Sequence, residues 1–403
     1  MACVASLAIA GLVRAGGGSV ESLGVGVEPL RFGTSTVLSG PSAALGTDMV
    51  TGINAAFARQ NALGGIGGRP LELIALDDGY EPVRTAPNMR TLLEQHDVLA
   101  VVGNVGTPTA IAAVPIAVAE RTLLFAPFTG AGVVRRDPPQ RYVVNFRASY
   151  AQEIAAMVDA LIDRAGVGPE SIALLTQRDG YGDSSHAATM KALRRRGLPE
   201  DAVVAHGRYD RNTVDVEAAL ADLLLFERPP RAIIVVGTYA PTARFIQLAR
   251  DAQLNAAFLC VSFTGADALS ERLDPAERGV VVTQVVPDPS QLDLPLVRDF
   301  RADLARVDPA ARPSFVALEG YTAGLTLLRA LHDAGPTIDR EALVDAFERL
   351  GTFDVGAGVP LELSPTRHQA SDQVWPTRFD GERFVAMDWA ELADVLEAAE
   401  SPP

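Results

Sequence analysis

Lysine is almost missing from this chain: Lys191 is the sole example among 35 basic residues, and arginine supplies the rest. A Walker loop needs a lysine beside glycine to reach phosphates, so that loop is excluded, and a Schiff-base mechanism has one candidate. Cysteine is as scarce. Cys3 and Cys260 stand far apart, offer no zinc-ligand spacing and support no disulfide framework. The 5 histidines, His96, His186, His206, His332 and His368, form no HExxH or paired spacing, so no metal is expected. No run reaches the roughly 18 consecutive apolar residues that a membrane-spanning helix needs. Basic side chains are outnumbered, 35 against 50 acidic, and a net charge of -15 repels phosphate backbones and anionic lipid surfaces. Nucleic acid is therefore excluded as a partner, and stable membrane insertion is not expected.

What is present is a globular composition, 48% apolar and 21% charged over 403 residues, enough for two or three domains or two large lobes. The apolar run Ala2 to Val13 has signal-peptide length but lacks a basic segment in front, and Arg14 follows it directly. It reads as the remnant of an export signal. The glycine-rich stretch Gly16 to Gly26 reads as a flexible leader, and Cys3 is the one residue a lipid anchor could use.

From Leu30 onward short β-rich runs alternate with helical patterns, the signature of parallel sheets with crossover helices. Strands are expected at Leu30 to Val37, Pro70 to Asp77, Val98 to Gly103 and Thr122 to Ala126. A helix over Gly46 to Ala62 ends at the Gly64-Gly65-Ile66-Gly67-Gly68 turn. A second set follows Asn145, with strands at Ser171 to Thr176, Ala202 to Tyr209, Arg231 to Val236, Ala256 to Val261 and Gly279 to Val286. Its helices are expected over Tyr150 to Arg164, Gly182 to Arg196, Thr213 to Phe226 and Ala240 to Asp251. Helices near Asp293 to Arg306, Ser314 to Asp333 and Asp339 to Leu350 come next, then a short terminal hairpin over Asp380-Gly381. Two sheets of this size cannot share one core, so two lobes with a cleft between them are expected. Ligands of such sheets sit beyond the carboxyl ends of the strands.

The turns after the strands are accordingly the candidate sites. Gly103-Asn104-Val105-Gly106-Thr107-Pro108-Thr109 opens an apolar helix, with Thr107 as expected N-cap and Pro108 in the first turn. Such an end favours a carboxylate, and it reads equally as a well-capped helix start. Phe128-Thr129-Gly130 ends another strand where backbone can approach a ligand, or forms an ordinary loop. Tyr181 and Tyr239 lie at matching turns in the second half, where an aromatic body can pack on ligand carbon while its hydroxyl bonds. No GxSxG elbow, GxGxxG after a strand or supported carboxylate dyad occurs, so neither catalysis nor a cofactor is expected.

Leu38-Ser39-Gly40-Pro41-Ser42-Ala43-Ala44-Leu45-Gly46, then Asn61 to Arg69 and Leu76-Asp77-Asp78, resemble the branched-chain amino-acid (Leu/Ile/Val) type of periplasmic solute-binding protein. Phe125-Ala126-Pro127, Tyr181-Gly182, Gly237-Thr238-Tyr239 and Leu318-Glu319-Gly320-Tyr321 continue the resemblance in order, over roughly residues 30 to 390. Proteins of this type deliver ligands to ABC transporters. The resemblance implies an α/β fold of two doubly wound parallel-sheet lobes joined by a three-strand hinge, closing on one small molecule. It implies a leader over 1–28, a first lobe of 29–146 plus 284–352, and a second of 147–283 plus 353–403. Thr107, Phe128, Thr129 and Gly130 match binders of the ligand carboxylate and amino group, and Tyr181 and Tyr239 match aromatics from the second lobe. The acid that pairs with the ligand ammonium falls on Ser262, the first-turn aromatic on Leu45, and the two cysteines of the first-lobe disulfide on Tyr80 and Gly106.

A serine cannot neutralise an ammonium, so the expected ligand is a carboxylate lacking one, or an amide, more than an ordinary amino acid. Glu319 could supply a replacement anion from the other lobe, although its spacing favours a hinge or surface role. The expected function is an extracytoplasmic receptor for an ABC importer, with the permease subunits as protein partners. The alternative is a cytoplasmic ligand-sensing regulator of the amide-sensor type.

Overall fold

The computed structural model describes residues 28–400, so the leader and Cys3 lie outside the described residues. Strands β1 (Leu30–Thr36), β2 (Leu71–Asp77), β3 (Ala100–Val102), β4 (Leu123–Phe125) and β5 (Val143–Val144) form one parallel sheet in the order β2-β1-β3-β4-β5. The helices among them are α1 (Ala43–Ala62), α2 (Pro82–Arg90) and α3 (Thr107–Ala119). The second sheet begins after α4 (Tyr150–Asp163). It contains β6 (Ile172–Gln177), β7 (His206–Tyr209), β8 (Ala232–Val236), β9 (Ala257–Cys260) and β10 (Val280–Gln284), linked by α5 (Gly180–Arg195), α6 (Glu217–Leu224), α7 (Tyr239–Asp251) and α8 (Ala266–Ser270).

The chain then returns to the first sheet. There α9 (Pro295–Val307) and α10 (Phe315–Asp333) pack against α1, and α11 (Arg340–Arg349) against β4. A small hairpin of β11 (Gly351–Phe353) and β12 (Leu361–Leu363) precedes β13 (Trp375–Phe379) and β14 (Phe384–Ala386), which extend the second sheet antiparallel before α12 (Leu392–Glu400). The second sheet runs β14-β13-β10-β9-β8-β6-β7, and the chain crosses between the sheets three times, after β5, after β10 and after β12.

The apolar runs explain the layering. Ala-Ile-Ile-Val-Val of β8 and Leu-Leu-Phe of β4 are buried throughout, because helices cover both faces of a parallel sheet and no polar alternation is needed. The outermost strands read differently: β2 is mostly half-buried, and His-Gly-Arg-Tyr of β7 alternates. Helix α10 is buried along most of its length, and small residues set how closely it lies on α1. A Cβ on Gly52 would come within 1.9 Å of the Ala317 carbonyl oxygen, and one on Gly320 within 2.4 Å of the Met49 carbonyl oxygen. This close packing fixes Glu319 on α10.

The expected β-strands agree with the structure to within a few residues, apart from the one expected from Ala202, which begins at His206, while β5 and β11 have no counterpart in the sequence reading. The helix expected over Thr213 to Phe226 shrinks to α6. Helix α2 has no counterpart in the sequence reading; it starts on Pro82, which suits a first helical turn, and it tolerates Pro87 inside it. The terminal hairpin forms over Asp380-Gly381, with Phe379 opposite Phe384.

Candidate functional site

Carboxyl ends of strands from both sheets converge on one buried region. After β3 the chain turns at Gly106, whose φ of 107° is open to glycine, and α3 begins at Thr107. Gly106 is thus the N-cap and Thr107 the first helical residue, contrary to the expected cap at Thr107. Its hydroxyl is therefore not spent on the helix and meets the Thr129 hydroxyl at 2.6 Å. After β4, Gly130 lies against Tyr150 so tightly that a Cβ would fall 2.4 Å from the ring. Tyr150 in turn opens α4, behind a complete capping box of Ser149 and Gln152.

From the second sheet, Asp179 caps α5 by accepting the Tyr181 N–H at 2.9 Å, which holds Tyr181 at the mouth of the helix. Its ring packs 5.2 Å from Tyr150 and 4.8 Å from Phe263, which lies in the turn after β9. Phe263 also meets Phe128 at 5.3 Å and Tyr80 at 6.0 Å, so rings from both sheets share one cluster. Burial drives the pKa values of Tyr80 and Tyr181 well above the ordinary phenol value, so both hydroxyls stay protonated. The Tyr181 hydroxyl has no hydrogen-bond partner among the described residues.

The polar centre is Arg147, a residue the sequence reading missed. Its side chain is 1% exposed and lies 4.5 Å above the Phe128 ring, and one of its nitrogens, Nη2, donates to the Ser262 hydroxyl. Its Nε and Nη1 have no hydrogen-bond partner among the described residues. Two carboxylates flank it. Glu153 on α4 accepts from the Ser262 N–H at 2.8 Å, the Ser262 hydroxyl at 3.0 Å and the Thr283 hydroxyl at 2.6 Å. Glu319 lies 3.6 Å from Arg147 Nε, and burial pushes its pKa up to about 7 despite the pull of Arg147. Glu319 is thus buried, which rules out the surface part of the hinge or surface role favoured from its spacing. A carboxylate does stand beside Ser262, that of Glu153, from an element more than a hundred residues earlier, but its oxygens are taken up by Ser262 and Thr283.

Of the eight residues singled out in the sequence, all are buried. Thr107, Phe128, Thr129, Gly130, Tyr181 and Ser262 belong to the region just described. Leu45 and Tyr239 lie together at its edge. The Tyr239 hydroxyl accepts the Ala44 N–H at 3.3 Å, and a Cβ on Gly265 would meet Leu45 at 2.6 Å. Tyr80 and Gly106, the positions matching the cysteines of the resemblance, are also neighbours: a Cβ on Gly106 would lie 2.2 Å from the Tyr80 ring. An aromatic ring fills the place where two short side chains would otherwise meet.

Tyr80 is held at a φ of 63°, a costly conformation for a bulky residue. It reaches across to the second sheet, where its hydroxyl accepts from Gln177 at 3.1 Å. Further out, Arg211 pairs with Glu81 at 2.7 Å, Asn212 donates to Glu81 at 2.7 Å, and the Phe315 N–H donates to Asp267 at 2.8 Å. Each of these bridges joins residues of opposite sheets. Among the described residues no helix is long and apolar enough to cross a membrane.

This chain is similar to a possible leucine/isoleucine/valine-binding protein of Rhodopirellula baltica, with 48% identity and a TM-score of 0.89 over 92% of this chain and 100% of that one. A substrate-binding periplasmic protein of Ralstonia solanacearum is 28% identical, with a TM-score of 0.81 over 89% and 100% of the two chains. A Leu/Ile/Val-binding protein homolog of Brucella abortus is 27% identical over 218 residues, 51% of this chain and 53% of that protein, so the match spans about half the length of this relative. Residues 29–383 match the periplasmic binding protein family as a whole. With the match running from the first strand to the terminal hairpin, and two parallel sheets facing one buried region, this chain belongs to the periplasmic binding proteins, a family of solute receptors and not of enzymes.

Proposed function

We propose that the protein is the extracytoplasmic solute-binding component of an ABC importer, and that its ligand is a small organic molecule bearing a carboxylate or amide. The ligand is enclosed between the two sheets and handed to the permease subunits when the lobes part. The observation that carries this reading is Arg147, a fully buried guanidinium with two nitrogens unpaired at the meeting point of both sheets. Buried donors left without hydrogen bonds are expensive even on a guanidinium flanked by carboxylates, and a ligand that accepts from them removes that cost. Thr107, Thr129 and the start of α3 stand on one side, and Tyr181, Phe263 and Ser262 on the other. Contacts from both lobes are then needed for affinity, which is what couples binding to closure.

The test is native mass spectrometry of the purified protein, followed by denaturation and identification of what is released. One small molecule in unit stoichiometry is expected, together with loss of its uptake in cells lacking the gene. Protein that carries no small molecule, and whose melting temperature no carboxylate, amide or amino acid raises, refutes the reading.

A further inference from the structure

We propose that the cleft selects a monocarboxylate with an apolar body and no ammonium group, and that Arg147 is the residue that anchors it. This rests on the solute-binding reading above and deepens it. Arg147 offers two unused nitrogens in a fixed plane, and a carboxylate is the group whose two oxygens suit such donors best. The guanidinium is immobilised beforehand, by Ser262 at one nitrogen and by the Phe128 ring beneath it. Little freedom remains to be lost on binding.

The surrounding charges reject an ammonium. Glu153 spends its two oxygens on three hydrogen bonds, from the Ser262 N–H, the Ser262 hydroxyl and the Thr283 hydroxyl, which leaves it poorly placed to serve a ligand. Arg135 adds a second positive charge nearby. Burial and the Arg147 charge pull it down only to about 9, so it stays protonated, and its donors go to the carbonyls of Thr129, Ala131 and Arg147 and to Gln369. It contributes field, not contact. Glu319 accepts no hydrogen bond from the described residues, lies 3.6 Å from Arg147 Nε, and is pushed by burial up to about 7, so it is only partly ionised near neutral pH. Two guanidinium groups beside one committed carboxylate and a partly ionised Glu319 leave an excess of positive charge, which the negative charge of a ligand carboxylate balances. An ammonium there would face Arg147 and compete with it for Glu319. The body of the ligand meets Phe128, Phe263, Tyr181 and Tyr150, whose faces are apolar.

Matched probes separate the alternatives. Isocaproate and hydrocinnamate carry the carbon skeletons of L-leucine and L-phenylalanine without the amino group. Isothermal titration of all four, on protein first unfolded to release any bound molecule and then refolded, is expected to favour the deaminated partner of a pair by about tenfold or more. Arg147→Gln is expected to lower that affinity by about thirtyfold or more, whereas Arg244→Gln, the same exchange at an exposed arginine paired with Glu217, keeps it within about threefold. Near-ultraviolet circular dichroism checks that each variant folds.

Tighter binding of either amino acid than of its deaminated partner, or an Arg147→Gln affinity within about threefold of the unaltered protein's, overturns the inference while the receptor reading stands. If none of the four binds, the molecule released on unfolding decides: a lone carboxylate upholds the inference, and anything carrying an ammonium overturns it. No binding and no released molecule overturn both.

Discussion

Phe128, Tyr181, Phe263 and Arg147 form the floor of the proposed binding site, all buried and in contact through rings and one guanidinium. At the rim, Arg211 and Glu81 join the same two lobes with 22% and 36% of their side chains exposed. Water screens the rim pair, which is worth at most about 1 kcal/mol, while the floor works in a low-dielectric setting where unpaired groups are costly. The difference separates two tasks. On the proposed reading, the floor decides which molecule is held, and the rim decides how long the lobes stay together.

The largest effect is expected from breaking the floor. Tyr181→Ala removes two ring contacts and the unpaired hydroxyl and should weaken binding about a hundredfold, with the fold intact by circular dichroism. Tyr181→Phe separates the ring from the hydroxyl, since it keeps both ring contacts.

Acidity should mark the same floor. Glu319 has a folded-state value near 7 against an ordinary 4.5, so the protonated form stabilises the fold. That contribution is complete below about pH 4.5 and is lost as pH rises to about 7, on the order of 2 kcal/mol. Melting temperatures across this window should fall with rising pH, and Glu319→Gln should flatten the fall. An unchanged slope in that variant would assign the dependence to other carboxyls.

Thr107→Ala is a smaller cut. It deletes one partner of the 2.6 Å hydroxyl pair with Thr129 and should weaken binding by about tenfold or less, as titration calorimetry would show. Smallest of all is Arg211→Ala at the rim, expected to leave ligand choice unaltered and to raise the dissociation rate by about threefold in stopped-flow measurements. High salt should reproduce that change in the unaltered protein. A rim variant that changed ligand preference would break the division of labour.

Much of the architecture was readable because a parallel sheet buried on both faces leaves unbroken apolar runs, as in β8, and because turns after strands carry their own residue chemistry. The polar centre was not readable. Arg147 is a single arginine between Phe146 and Ala148 with no spacing pattern, and its partners Ser262 and Glu319 lie 115 and 172 residues away. Only the folded chain assembles them. Ser262 appeared as a lost charge because a carboxylate brought in by α4 leaves no trace at that position. Tyr80 was read only as a missing cysteine, and nothing in the sequence announces its left-handed backbone or its reach to Gln177.

The three passages of the chain between the sheets carry a last consequence. Each lobe keeps its counterpart at the high effective concentration of a tethered partner, so shutting the cleft forfeits no translational freedom. A few rim bonds of marginal strength then suffice to bias the equilibrium, and nearly all the energy contributed by the solute remains available for telling one solute from another.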